Sequence, residues 1–349
     1  MVDNLYVHFP FCRRKCSYCA LYSRTGVSQA DRDAYVRRLA AEIGTEGQTL
    51  CANLRTVYFG GGSPALCDLS VLAPALRPLC GEGTEFTVEL HPLDVTEVKL
   101  KELKDLGVNR ISMGVQSLND AVLADMGRGY TVEEAERAFA LVKRYFDNAG
   151  IDLIVGYPGD EVEKKGRGRQ WNLNRLESWG LKHCSVYSLQ NERGLRNVPG
   201  DDVVLDRIRH FAKCLKAMGL ERYEISNYAV PGFECRHNLA VWRGEDYIGL
   251  GDGACGRIGL RRTKFGKEEI VTPEFDAKER MLFRLRTREG LDVRSLSNLS
   301  NLSNFSNFSN LSNILATQVA MGLLTQSGEI YRLTERGTEV CDSILAELV

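Results

Sequence analysis

The sequence predicts an α/β fold: a partial (β/α)6 barrel followed by a small C-terminal α+β unit of winged-helix-like shape. Three observations predict it. Between residues 5 and 189, six short β-rich runs alternate with amphipathic stretches, the rhythm of parallel strands joined by helices. Polar motif residues lie near the ends of several successive runs, as barrel active sites do, whereas the rival open doubly wound sheet gathers them at one switch point. From about Thr272 the pattern changes to an apolar helix and a short hairpin.

The expected strands are "LYVHF" (5–9), "TVYFGG" (56–61), "EFTVEL" (85–90), "RISMGV" (110–115), "IDLIVG" (151–156) and "HCSVYSL" (183–189). Between them, "DRDAYVRRLAAEI" (31–43), "DVTEVKLKELKDLG" (94–107) and "TVEEAERAFALVKRYFDNAG" (131–150) read as helices. Each opens on an Asp or Thr suited to N-capping, and the last two close on Gly. After Gly200 come the helix "DDVVLDRIRHFAKCLKAMGL" and a Gly-rich, aromatic stretch that ends the first domain, 1–265. The second, 272–349, pairs helical "EFDAKERMLFRLRTREG" with the hairpin "LLTQSGEIYRLTERG". Within it, 297–313 repeats Ser-Asn-Leu/Phe; a period of three suits neither helix nor strand and reads as a tandem expansion lengthening a connection. The run "EKKGRGR" (163–169) reads as a solvated loop.

The 45 Lys and Arg and 46 Asp and Glu nearly cancel, so no global field recruits nucleic acid, and no nucleic-acid partner is expected. The N-terminus has no secretory pattern and no stretch is apolar over the roughly 20 residues a spanning helix needs, which implies a cytoplasmic protein. Eight of the 11 cysteines are scattered and read as small buried residues of a reducing compartment. The other three, Cys12, Cys16 and Cys19, form Cys-x3-Cys-x2-Cys directly after the first strand.

Three thiolates fall one short of a closed zinc site. His8 can complete a Cys3His set if its ring turns toward the loop. The alternative is a 4Fe-4S cluster, whose four irons each want an outer ligand; three cysteines then leave one iron open to a small molecule.

The trio, with Tyr18 before its last cysteine and a Gly-rich loop after the second strand, resembles the radical S-adenosylmethionine enzymes. The segments "YVHFPFC", "YFGGGSP", "SMGVQSLND", "MGRGYT", "DLIVGYPG" and "CRHNLAVW" look like the coproporphyrinogen III oxidase-like family, which includes a haem-chaperone (HemW) subgroup. The resemblance covers residues 5 to about 260. It implies a radical SAM barrel, a 4Fe-4S cluster on Cys12, Cys16 and Cys19, and S-adenosylmethionine on the open iron.

Supporting residues have their own chemistry. Gly60, Gly61 and Gly62 permit a tight turn that can offer N–H groups to a carboxylate. Glu89 ends the third strand, Gln116 presents a donor and an acceptor, Arg128 suits a carboxylate, and Asp152 sits in an apolar run where it needs a partner. The resemblance assigns Tyr6, Tyr18, Gly61, Gly62, Ser63, Glu89, Gln116, Arg128 and Asp152 to the S-adenosylmethionine pocket. In "CRHNLAVW" it points to His237 as a haem ligand, with Val241 standing where related sequences carry Tyr.

Two functions remain. One is oxygen-independent coproporphyrinogen III oxidation, a radical oxidative decarboxylation of propionate side chains. The other is a haem chaperone that passes haem to a membrane acceptor. Decarboxylases resemble Cys-x3-Cys-x2-Cys-x-Cys, and Leu21 occupies that fourth position here; they also carry a long segment before the first strand, which here begins by residue 5. Both departures favour the chaperone. The implied partners are haem or porphyrin, an electron donor such as flavodoxin, and the acceptor protein. A DNA-binding regulator using the C-terminal unit is the third class, and no conspicuous basic recognition helix supports it.

Overall fold

The computed structural model describes residues 1–47, 49–50, 52–160, 173–295 and 308–348. Its centre is a sheet in which β1 (Asn4–Phe9), β2 (Thr56–Gly61), β3 (Glu85–Leu90), β4 (Arg110–Gln116), β5 (Asn148–Val155) and β6 (His183–Ser188) lie side by side in chain order. All six are parallel. A doubly wound sheet reverses strand order at a switch point, and these six strands have none, so the barrel-type reading holds. β1 and β6 are not neighbours. Beyond β6 run the antiparallel β8 (Asn227–Ala229) and β7 (Glu221–Arg222), and beyond β1 the parallel β9 (Ile248–Leu250).

Period-two alternation gives the six strands two unlike faces. Leu5, Val7, Phe9, Val57, Phe59, Phe86, Val88, Ile111, Met113, Ile151, Leu153 and Cys184 point outward into one apolar core beneath the helices. Burying each large side chain contributes about 1.5–3 kcal/mol. The other face carries Tyr6, His8, Tyr58, Glu89, Ser112, Asp152 and Ser185 inside the curve of the sheet: Tyr58 bonds Glu89, and Ser112 and Ser185 bond Asp152, across neighbouring strands, while Tyr6 bonds His8 within β1.

The helices largely follow their sequence signals. Thr96 caps Glu97–Leu106, which closes on left-handed Gly107, and Thr131 with Glu134 forms a reciprocal capping box for Val132–Lys143. Two boundaries differ from expectation. Gln29–Glu46 begins earlier than 31 because Ser28 is its cap, with Asp31 bonded back to it. The helical pattern expected at 131–150 ends at Lys143, not Gly150, because Asn148, Ala149 and Gly150 pair with Arg110, Ile111 and Ser112 at the start of β5. Gly150 is a contact point: a Cβ there would meet the His183 carbonyl oxygen at 2.6 Å.

β10 (Cys255–Ile258), β11 (Arg261–Lys264) and β12 (Lys267–Ile270) form an antiparallel meander that continues past residue 265. The C-terminal unit follows, with a helix at Pro273–Leu285 and an antiparallel sheet of β13 (Leu291–Asp292), β15 (Ile330–Leu333) and β14 (Leu324–Ser327). Its own core includes Met281, Leu285, Leu291, Leu315, Leu324 and Ile344. The end of the Ser-Asn-Leu/Phe repeat is helical, within Phe308–Ala320, despite its period of three. Residues 297–307 of the repeat and the run 163–169 lie outside the described residues.

Candidate functional site

The carboxyl ends of β1 to β5 converge on the cysteine loop. Cys12, Cys16 and Cys19 follow β1 on an irregular segment, with Cys16 buried and the other two partly exposed. The loop rests on the Gly-rich turn after β2. A Cβ on Gly62 would meet the Phe11 carbonyl oxygen at 2.4 Å and Cys12 Sγ at 2.9 Å, and one on Gly61 (φ 110°) would meet the His8 ring at 2.6 Å. Close backbone approach is thus what the glycines supply. The amides expected to face a carboxylate ligand are engaged inside the protein: Gly61 N–H donates to Glu89 Oε2 (3.0 Å), Gly62 N–H to the Phe9 carbonyl (2.7 Å), and Ser63 N–H to the Phe11 carbonyl (2.7 Å).

Two further ties hold the loop. Arg13 pairs with the buried Asp94, which also accepts from Ser63 Oγ, linking the cysteine loop to the turns after β2 and β3. Arg128 is buried, and its Nη1 donates to Cys16 Sγ and Tyr18 Oη, both at 3.4 Å. Its Nη2 donates to the Gly114 carbonyl (2.7 Å) and its Nε to Tyr130 Oη (2.9 Å). The Gly114 carbonyl is available because β4 carries a bulge between Gly114 and Gln116, where Gln116 takes φ 71°. Tyr130 Oη donates to the Val115 carbonyl (2.8 Å), satisfying the interrupted ladder. A left-handed glutamine is uncommon backbone, retained where surroundings over-determine it.

Below the loop, Glu89 Oε1 accepts from Tyr58 Oη (2.8 Å), and Asp152 accepts from Ser112 Oγ (3.0 Å) and from Ser185. Burial, then the neighbouring Asp152 charge, pushes the Glu89 carboxyl up to about 7; burial raises Asp152 as well. Two carboxyls that resist ionising together can present both a proton and a lone pair to a polar ligand. Tyr6 lies over Tyr58 with ring centroids 6.0 Å apart, and its Oη bonds His8 Nδ1 (3.0 Å).

His8 is not a fourth metal ligand in this arrangement. Its Nε2–H donates to the Tyr22 carbonyl (3.0 Å), so Nδ1 is the acceptor from Tyr6 and both ring nitrogens are used. Among the described residues no three His, Cys, Asp or Glu side chains converge on one point for a single ion. A tetrahedral zinc needs such a point, whereas a cubane takes each thiolate on a separate iron. Three soft donors on one loop, with a buried arginine donating to one sulfur and a glycine cradle against another, fit the cluster.

His237 lies deeper and 4 % exposed, on the helix Arg236–Trp242. Thr56 Oγ1 donates to Asn4 Oδ1 (2.9 Å), so His237 Nδ1–H donates to Thr56 (2.8 Å). Burial, then Arg110, pushes its imidazole down to about 3, keeping it neutral. The rings of Tyr58, Tyr6 and Tyr247 enclose it at 5.1, 6.2 and 6.2 Å.

Ten residues singled out in the sequence thus gather around the loop and the upper lumen: Tyr6, Cys12, Cys16, Tyr18, Gly61, Gly62, Ser63, Glu89, Gln116 and Arg128. Cys19 shares the loop, Asp152 faces Glu89 across the lumen, and His237 stands apart. Sequence reasoning missed Tyr58, Ser112, Asp94, Arg13 and Tyr130. The signal for the first two was present: polar side chains at alternate positions of successive strands mark a second, wet face.

Residues 6–165 match the Radical SAM superfamily, and residues 271–340 match the HemN C-terminal domain. The heme chaperone HemW of Lactococcus lactis is 31% identical, over 85% of this chain and 84% of the relative. That of Synechocystis is 34% identical over 76% and 70%, and that of Escherichia coli 29% over 98% and 97%. In fold, the radical SAM coproporphyrinogen III oxidase HemN of Escherichia coli superposes with a TM-score of 0.82 at 20% identity, covering 99% of this chain and 89% of that one.

Proposed function

The chain belongs to the radical SAM superfamily, in the coproporphyrinogen III oxidase-like family and its HemW subgroup, and on that premise we propose that it is a haem chaperone. The observation that carries this reading is Leu21. It stands where the oxidases resemble a fourth cysteine, and it lies 59 % exposed with its carbonyl bonded to Lys15.

Cys12, Cys16 and Cys19 would hold a 4Fe-4S cluster, and Glu89, Asp152, Gln116, Tyr6 and Tyr18, with the turn at Gly61, Gly62 and Ser63, would surround S-adenosylmethionine. When bound, the cluster supplies one-electron chemistry to the sulfonium. The protein's part is positional. Arg128 orients Cys16 and Tyr18, Asp94 joins Arg13 to Ser63, and the Glu89–Asp152 pair offers a proton and an acceptor at the lumen wall. A cluster held by these cysteines would supply cofactor binding, electron flow from a flavodoxin-like donor, or regulation of haem transfer to a membrane acceptor from the cytoplasm. Among the described residues no helix is long and apolar enough to cross a membrane.

Anaerobically reconstituted protein titrated with haem is expected to show a Soret shift, and no shift overturns the reading. The same protein given coproporphyrinogen III, S-adenosylmethionine and reductant is expected to yield no protoporphyrinogen. Its appearance with methionine release would make the protein the oxidase.

A further inference from the structure

We infer that haem seats outside the lumen, in a cleft between the barrel and the C-terminal unit, on the flank of the helix Arg236–Trp242 that carries Asn238, Val241 and Trp242. The inference rests on the haem-binding reading above and names its site.

The helix has two faces with different neighbours. His237 and Ala240 are buried toward β2, and the three aromatic rings around His237 leave no place for a macrocycle on that side. Asn238, Val241 and Trp242, spaced i, i+3, i+4, line the adjoining flank, with Val241 one turn along from His237. There a cleft of about 1750 Å³ opens, exceeding the roughly 300–1,000 Å³ of ordinary small-ligand sites. It runs from Tyr187 and Ser188 at the carboxyl end of β6, the sheet edge that also carries the cysteine loop, to Arg286 and Arg332 of the C-terminal unit. Two bonds bracket the walls: Arg209 grips Glu339 with Nε and Nη2, both at 2.7 Å, and Arg222 Nη1 donates to Thr338 Oγ1 at 2.6 Å.

The lining suits a flat apolar ring with acidic arms. Val186, Val204, Ile208 and Val241 supply apolar surface, and the Trp242 indole supplies a planar one. The Arg286 guanidinium lies 4.8 Å from the centre of that indole. Its Nε has no hydrogen-bond partner, and among the described residues its one ion pair is at 3.3 Å to Asp342, whose side chain is 92 % exposed, while the buried Glu224 feels its charge. A solvated aspartate holds such an arginine weakly, so a propionate can replace it. Lys213 and Lys216 add further cations for a second propionate. Acidic residues also line the cleft: Glu339 and Glu221 are paired with Arg209 and Arg288, Glu224 accepts from Ser226 and Asn227, and Asp201, Glu335 and Asp342 complete the set.

Recognition through the ring faces and propionates does not need the iron. The test is therefore titration of the full-length reconstituted protein with haem, followed by the Soret band, and with metal-free protoporphyrin IX, followed by its fluorescence. Wild type is expected to bind both. Val241→Trp, which puts a bulky ring where the macrocycle would lie against Trp242, and Arg286→Ala, which removes the cation, are each expected to weaken both ligands at least about tenfold, while iron–sulfur absorption stays at the wild-type level. Should Val241→Trp fail to fold, Arg286→Ala decides alone. If wild type binds haem and the folded variants bind it equally well, the cleft assignment is overturned and the chaperone reading stands. Haem binding with no protoporphyrin binding also overturns the cleft. If wild type binds neither ligand, both fall.

Discussion

The inner and outer faces of the six parallel strands share one backbone and have opposite chemistry. Leu5, Val7 and Phe9 of β1 are fully buried in the apolar shell, while Tyr6 and His8, one residue away in each case, join a hydrogen-bonded lumen. The shell holds the molecule together and the lumen stores polar groups that burial has perturbed, Glu89 foremost. Stability and chemistry are therefore separated by the strand's period of two, and a substitution should disturb one face or the other according to the parity of its position.

The largest expected effect is on the lumen side. Cys16→Ser removes a ligand and should abolish the iron–sulfur absorption of reconstituted protein while leaving it folded by circular dichroism; a retained cluster would break the separation. On the shell side, Phe59→Ala removes a ring packed at 5.1 Å from Phe9 and 4.9 Å from Phe86, and should cost about 3–5 kcal/mol in denaturant unfolding with normal cluster content per folded molecule. Gly62→Ala lies where the two meet. Its Cβ pushes against Phe11 and Cys12, so cluster loss in air should run several-fold faster, with the unfolding free energy lowered by about 1–3 kcal/mol.

Glu89 gives the comparison a pH signature. Its folded pKa is raised from 4.5 to about 7, so between those values the folded protein holds a proton the unfolded chain has lost, and stability falls as pH rises through that window. Glu89→Gln should flatten that fall, gaining on the order of 1–3 kcal/mol over wild type above pH 7 relative to below pH 4.5, read from unfolding midpoints across pH. The smallest effect is expected at the C-terminal seam: Arg209→Ala breaks a pair whose arginine is 55 % exposed and should cost no more than about 1 kcal/mol.

Much of the site was legible because its signals are local. The Cys-x3-Cys-x2-Cys spacing, the Gly-rich turn and the strand-end polar residues each span a few positions. Other roles were not legible, since they depend on contacts between distant segments. Arg128 reads as a carboxylate partner, yet it spends its donors on Cys16, Tyr18, Tyr130 and the Gly114 carbonyl, 14 to 112 residues away except for Tyr130. Gly61 and Gly62 read as amides for a ligand, yet they are the seat of the cysteine loop. His8, the candidate fourth zinc ligand, has both ring nitrogens bonded to Tyr6 and Tyr22.

By itself the sequence determined the alternation of strand and helix, the three-cysteine loop, the family, and the departure at Leu21, because periodicity, spacing and residue identity are properties of the chain alone. Only the tertiary structure decided that β1 to β6 lie in unreversed order, that Glu89 and Asp152 share one lumen, and that the two faces of the helix Arg236–Trp242 look into different spaces. The reason is burial: a side chain's protonation, partners and accessible face depend on which distant segments exclude water from it.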